Sequence, residues 1–257
     1  MARKGIALLV AMAMIGMNLG PLAAPARADD DWRTKAYTEW GQEDVQKLLS
    51  DSPWVKRVRL PVTWRRSSGA NPDATTDRSG GQSTSPDEFP SRGRARMGMD
   101  ELSDQARANQ AEFRIRWNSS RPLRRALVRA AVLQGRQMTA EAERYVATEP
   151  EEFEVMILGQ DMAPFRGISE EALKEKTYIR PKKGKEKYAP LRVNLIRQGE
   201  QNRLVAVAFF FAKKSASGEA IVATDEKGIE FRCQIGPVVL QSNFETQKMT
   251  DQHGLAL

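Results

Sequence analysis

The chain has 257 residues, with 40 Lys and Arg against 33 Asp and Glu, one histidine and one cysteine. A single cysteine excludes an intramolecular disulfide, and one Cys with one His is too few for a zinc site, which needs several such ligands. The formal net charge of +7 overstates the basicity of the folded part, because Arg3, Lys4 and Arg27 all sit in the first 28 residues, where there is no acid.

Those 28 residues have the three parts of a signal peptide in order. Arg3 and Lys4 give a positive start, residues 6–17 are apolar and uncharged, and Ala26-Arg27-Ala28 is a small-x-small exit. The apolar stretch falls short of the roughly 20 residues that span a bilayer, so cleavage after Ala28 is expected rather than anchoring. The greasiest later run, 204–212, is also too short to span, so the chain is not expected to be an integral membrane protein.

Residues 29–64 read as a helix and a strand. Over 38–50, Trp40, Val45, Leu48 and Leu49 form one packed side, and Asp51-Ser52-Pro53 stops the helix. Val58, Leu60 and Val62 then alternate with Arg57, Arg59 and Thr63, and Pro61 restricts this strand to an edge. About 30 residues are too few to fold alone, so this piece is expected to dock on the C-terminal domain across a linker. Residues 65–110 are that linker. Seven Arg (65, 66, 78, 92, 94, 96 and 107) offset seven acids among Ser, Gly and Pro, and little apolar surface is present to offset ordering. Disorder is expected there, with a short helix near 99–108.

The main domain is expected over 111–250. Phe113-Arg114-Ile115-Arg116-Trp117 alternates as a half-buried strand. Leu123, Ala126, Leu127 and Ala130 recur at helical spacing, with Gly135 as terminator, and a second helix over 139–147 starts at Thr139 as N-cap. A strand at 153–158 comes next, giving a βαβ-like order. Leu191, Val193 and Leu195 alternate, 198–202 turns the chain, and 204–211 is apolar throughout, as in a central strand covered on both faces. Ile229, Phe231, Cys233 and Ile235 alternate in turn, Gly236-Pro237 bends the chain into a last strand over 238–244, and 251–257 is expected to be a frayed tail. The fold class is therefore α+β: a mostly antiparallel sheet, two or three helices on one side or end, and a long disordered linker.

The chemistry is defined by what is missing. His253 lies in the expected tail, poorly held for proton transfer. Cys233 falls on the apolar side of a strand, which disfavours the reactive thiolate. Glu149, Glu151, Glu152 and Glu154 precede a strand without EF-hand spacing, and Gly80-Gly81 and Gly93 lie in the linker, not between a strand and a helix where phosphate loops form. No catalytic residue, metal site or cofactor is expected. Two basic features remain as binding candidates. One is Arg121, Arg124, Arg125, Arg129 and Arg136 along a helix that also carries Val128 and Val132. The other is Lys174, Lys176, Arg180, Lys182, Lys183, Lys185 and Lys187, flanked by Tyr178 and Tyr188. Export turns such a segment away from nucleic acid and toward an anionic lipid, an acidic glycan or an acidic protein face, whereas a solvated charged loop needs no partner.

The chain resembles a group of uncharacterised exported bacterial proteins. The residues that carry the likeness are Trp40, Ser52-Pro53-Trp54, the strand from Val58 to Val62, the low-complexity insertion, Arg116-Trp117 and the closing Leu255-Ala256-Leu257. The insertion is Gly- and Met-rich in that group and rich in Ser, Arg and Asp here. The resemblance implies export and this layout and brings no site residue. The functional expectation is a periplasmic or secreted, non-enzymatic binding or structural protein of the envelope, its partner an unknown envelope protein or an anionic lipid or glycan. The alternative is a hydrolase or transferase of an envelope glycan or ester that uses carboxylates alone, Asp161 or Glu154 being the candidates.

Overall fold

A computed structural model describes residues 31–62 and 110–257. The expected signal peptide at 1–28, the linker up to residue 109 and the helix near 99–108 lie outside the described residues. The described residues 31–58 and 112–257 group into one compact unit, and 59–62 and 110–111 are the described ends of a second.

Helix α1 (Gln42–Ser50) starts later than its apolar spacing predicts, because residues 37–39 form a separate 3-10 turn and Gly41 takes the cap position. The Gly41 N–H donates to Asp44 Oδ2 at 3.0 Å, satisfying a donor at the helix start. Val45, Leu48 and Leu49 are buried. Strand β1 (Val55–Pro61) begins three residues before the expected Val58 and is an edge strand of a five-stranded sheet. The other members are β2 (Gln110–Trp117), β3 (Glu152–Gly159), β5 (Arg192–Gln198) and β6 (Arg203–Ala212), in the order β1-β2-β3-β6-β5. Strands β4 (Thr177–Pro181), β7 (Ile229–Ile235) and β8 (Val238–Phe244) form a second sheet in the order β4-β7-β8.

Pairing is antiparallel from β2 through β3 and β6 to β5, and again across β4, β7 and β8. The βαβ-like expectation is corrected, since β2 and β3 are antiparallel neighbours with Trp117 opposite Val155. The two expected helices intervene. Helix α2 (Arg121–Leu133) leads away and α3 (Ala140–Ala147) leads back, returning the chain to the end it left. Gly135, at φ 84°, makes the left-handed turn that ends α2, and Thr139 Oγ1 accepts from the Ala142 N–H to cap α3.

The core lies between the sheets, where Phe231 meets Phe209 at 5.7 Å and Phe211 at 6.4 Å, and Trp117 meets Phe244 and Phe153 at 5.3 Å. These tilted and edge-on aromatic contacts add to the burial term that holds the layers. Strand β6 lies between two neighbours, with Phe209 and Phe211 toward the second sheet and Ala206 and Ala208 buried on its other face, which explains its unbroken apolar run. Leu191 departs from its expected place, being 52% exposed just ahead of β5.

The expected tail at 251–257 is also corrected. Residues 250–251 and 254–255 form a small hairpin, β9 (Thr250–Asp251) and β10 (Gly254–Leu255), and Ala256 is buried. The reason is a pair of polar anchors: Trp54 Nε1 donates to the Ala256 carbonyl at 2.6 Å, and Arg121 Nη1 pairs with Asp251 Oδ2 at 3.0 Å. Helix α4 (Glu170–Glu175) packs beside β5. Among the described residues no helix is long and apolar enough to cross a membrane.

Candidate anion-binding site

The basic segment 174–188 contains a helix end, a strand and a loop. In β4, Thr177, Ile179 and Pro181 face inward, and Tyr178 and Arg180 face outward. β4 is the sheet's edge strand, and beyond it the chain doubles back so that Tyr188 and Ile179 exchange backbone bonds at 3.0 and 2.9 Å. Residues 182–187 are thereby closed into a loop. Across the outer face, Arg180 stands opposite Glu230, and Glu230 opposite Asn243. Tyr178 OH donates to Glu230 Oε1 at 3.0 Å, and Arg180 Nη2 donates to Oε2 at 2.5 Å. Both carboxylate oxygens of Glu230 are thus engaged, and Arg180 balances its charge.

The loop has its own scaffold. Glu226, only 3% exposed, accepts backbone N–H bonds from Lys183, Lys227 and Gly228 at 2.8 to 3.3 Å. Lys182 N–H donates to the Gly228 carbonyl at 2.9 Å, and the Lys182 stem lies so close over Gly228 that an added Cβ would meet it at 3.1 Å and the Phe244 carbonyl at 3.0 Å. A charged loop fixed in this way loses less entropy on binding than a freely moving one.

Arg180, Lys182, Gly184, Lys185, Glu230 and Asn243 line a depression of about 320 Å³. Two of the loop's lysines are occupied: Lys183 pairs with Asp225, and Lys187 lies over the Tyr178 ring at 4.7 Å. Among the described residues, Lys182 and Lys185 have no carboxylate within ion-pair distance. Glu245 feels the field of Lys182, but it is bonded to Lys248 at 2.8 Å, which holds its carboxyl below the usual range.

The other candidates separate. The arginines of α2 are largely consumed as internal ties. Arg124, 4% exposed, donates to the carbonyls of Ser119, Tyr145 and Thr148. Arg129 Nε donates to the Trp40 carbonyl at 2.7 Å, Arg125 stacks over Tyr37, and Arg121 holds Asp251. Arg116, expected on an open face, is 6% exposed, and burial lowers its pKa to about 10. Cys233 is fully buried opposite Thr177, and burial pushes its thiol up to about 12. His253 is exposed in the β9–β10 turn, its N–H on Asp251 Oδ1.

The acids at the start of β3 are spread among different partners: Glu149 on Lys213, Glu152 on Arg192 and Glu154 on Asn118. No three of the described His, Cys, Asp and Glu are grouped to hold a metal ion. Burial raises the Glu154 pKa, whereas Asp161 Oδ1 accepts the Ala163 N–H beyond the far end of β3. The strand from 154 to 159 separates these two carboxylates by roughly 17 Å at the ordinary rise per residue, too far for a shared acid–base site.

Sequence reasoning found the lysines but missed Glu226, Glu230 and Asn243, which come from strands and loops about 45 to 60 positions away. Tyr178 and Arg180 alternating with Ile179 was the available signal for β4. Comparison with protein-family models, with curated proteins and with solved structures finds no match.

Proposed function

We propose that this chain is an exported, non-enzymatic binding protein of the bacterial envelope, and that it engages an anionic partner through the loop at 182–187 and the outer face of β4, β7 and β8. The observation that carries the reading is the pair Lys182 and Lys185, left without a carboxylate partner among the described residues, on a loop that a buried Glu226 holds in shape. A loop that served only solubility would need no such scaffold. Export rests on the charged start, apolar stretch and Ala26-Arg27-Ala28 exit of the first 28 residues. Attraction by unpaired surface cations is screened by salt, so binding should weaken as ionic strength rises.

The test is co-sedimentation of the mature chain with envelope fractions and with dextran sulfate, at low and high salt. Replacing Lys182 and Lys185 with Gln should reduce salt-sensitive binding severalfold. Unchanged binding would remove the loop from the function. Protease protection of the chain in intact cells, abolished by permeabilising the outer layer, tests export separately.

A further inference from the structure

We infer that the depression between the 182–185 loop and the outer face of β7 and β8 is a subsite for a phosphate monoester dianion. This deepens the binding reading above and rests on it. Charge balance leads to the ligand's valence. Of the groups lining the depression, Arg180 and Glu230 neutralise each other through the 2.5 Å bond, and Tyr178 OH occupies the second Glu230 oxygen. Lys182 and Lys185 are left, two cations with no carboxylate partner among the described residues.

The donor set leads to the ligand's chemistry. The lining offers ammonium groups, the remaining guanidinium N–H groups of Arg180 and the Asn243 amide. Its one carboxylate already has both oxygens engaged. A lining rich in donors, with no free carboxylate oxygen, matches a tetrahedral oxyanion with three free oxygens better than a flat carboxylate. A monoester carries close to two negative charges above its second ionisation, near about pH 6, whereas a diester carries one. The volume of about 320 Å³ admits the phosphate with a small attached group.

The neighbouring geometry fixes the groups that would bind. The Lys182 stem lies over Gly228, where a Cβ would be crowded between that stem at 3.1 Å and the Phe244 carbonyl at 3.0 Å. Gly184 removes side-chain bulk from the rim between the two lysines. Arg180 cannot swing away without giving up Glu230.

Calorimetric titration of the mature chain with glycerol 3-phosphate, set against dimethyl phosphate, tests the inference. Saturable binding of the monoester is expected, at least severalfold tighter than the diester and tightening as pH rises through about 6. Lys182→Gln and Lys185→Gln should each weaken it about tenfold, the scale of one charge-assisted hydrogen bond, while Arg144→Gln on the exposed side of α3 leaves it unchanged. Equal binding of monoester and diester, or no response to either loop substitution, overturns the inference.

Vesicles of phosphatidic acid and of phosphatidylglycerol distinguish the source of the phosphate. Preference for phosphatidic acid, competed by glycerol 3-phosphate, identifies a lipid headgroup, and binding of the soluble ester alone identifies a free one. If neither phosphate probe binds but dextran sulfate still binds in a manner that depends on Lys182, the subsite falls and the broader reading stands. If dextran sulfate binding is also lost, both fall.

Discussion

The arginines of α2 and the lysines after β4 have the same sign and similar density in the sequence, and the fold uses them in opposite ways. Arg121, Arg124, Arg125 and Arg129 reach carbonyls, an aspartate and a tyrosine ring belonging to other elements. Guanidinium suits this work, since its planar fork satisfies several acceptors at once and its weaker hydration lowers the cost of burial. Lys182 and Lys185 stay at the surface, and the nearby Glu226 holds backbone N–H groups instead of their ammonium groups. The lesson concerns neighbours more than charge. Basic residues interleaved with apolar helical positions are drawn into packing, and basic residues among Gly, Pro and Lys are left outside.

Substitutions can break this contrast or sharpen it. The largest effect is expected from Arg124→Ala, which leaves the carbonyls of Ser119, Tyr145 and Thr148 without their donor and should cost about 3 kcal/mol in chemical denaturation. Arg124→Lys should recover little of that, because one ammonium cannot span the three carbonyls. Glu226→Ala comes next, at about 2 kcal/mol, since three backbone N–H groups lose their acceptor. Faster amide hydrogen exchange at Lys183, Lys227 and Gly228 would show that the loss is local to the loop.

Glu154→Gln should act with the opposite sign. Burial raises the folded pKa of Glu154 above its unfolded value, so the folded state binds the extra proton and stability falls as pH rises through that interval. The variant should therefore melt higher than the parent at neutral pH and lose that advantage below the ordinary glutamate pKa. The smallest stability change belongs to Lys182→Gln with Lys185→Gln, within about 0.5 kcal/mol. A loss comparable to that of Arg124→Ala would erase the contrast between the two regions.

Much of the architecture is legible in the sequence, because it depends on local periodicity. The alternation in Phe113, Ile115 and Trp117 and in Phe231 and Cys233 marks inward faces that are buried. Gly135 and Thr139 mark helix boundaries by their own backbone and side-chain chemistry. Helix α4 and strand β4 are not legible, since Leu173 is the only buried residue of one and the other is five residues long amid lysines. The site is half legible. Its cations are contiguous, but Glu230 and Asn243 reach it through strand register, and Glu226 acts on backbone N–H groups that every non-proline residue carries. Likewise, nothing in the residues 255–257 announces that one of their carbonyls holds Trp54.

That last bond bears on how the molecule is made. Trp54 and Ala256 are separated by 202 positions, yet the indole of one is fixed by the carbonyl of the other. During synthesis Trp54 lacks that partner until Ala256 has been added, whereas Trp32, its edge-on ring neighbour, precedes it in the chain. The bond therefore closes a loop of 202 positions, a fastening that folding near Trp54 alone does not supply.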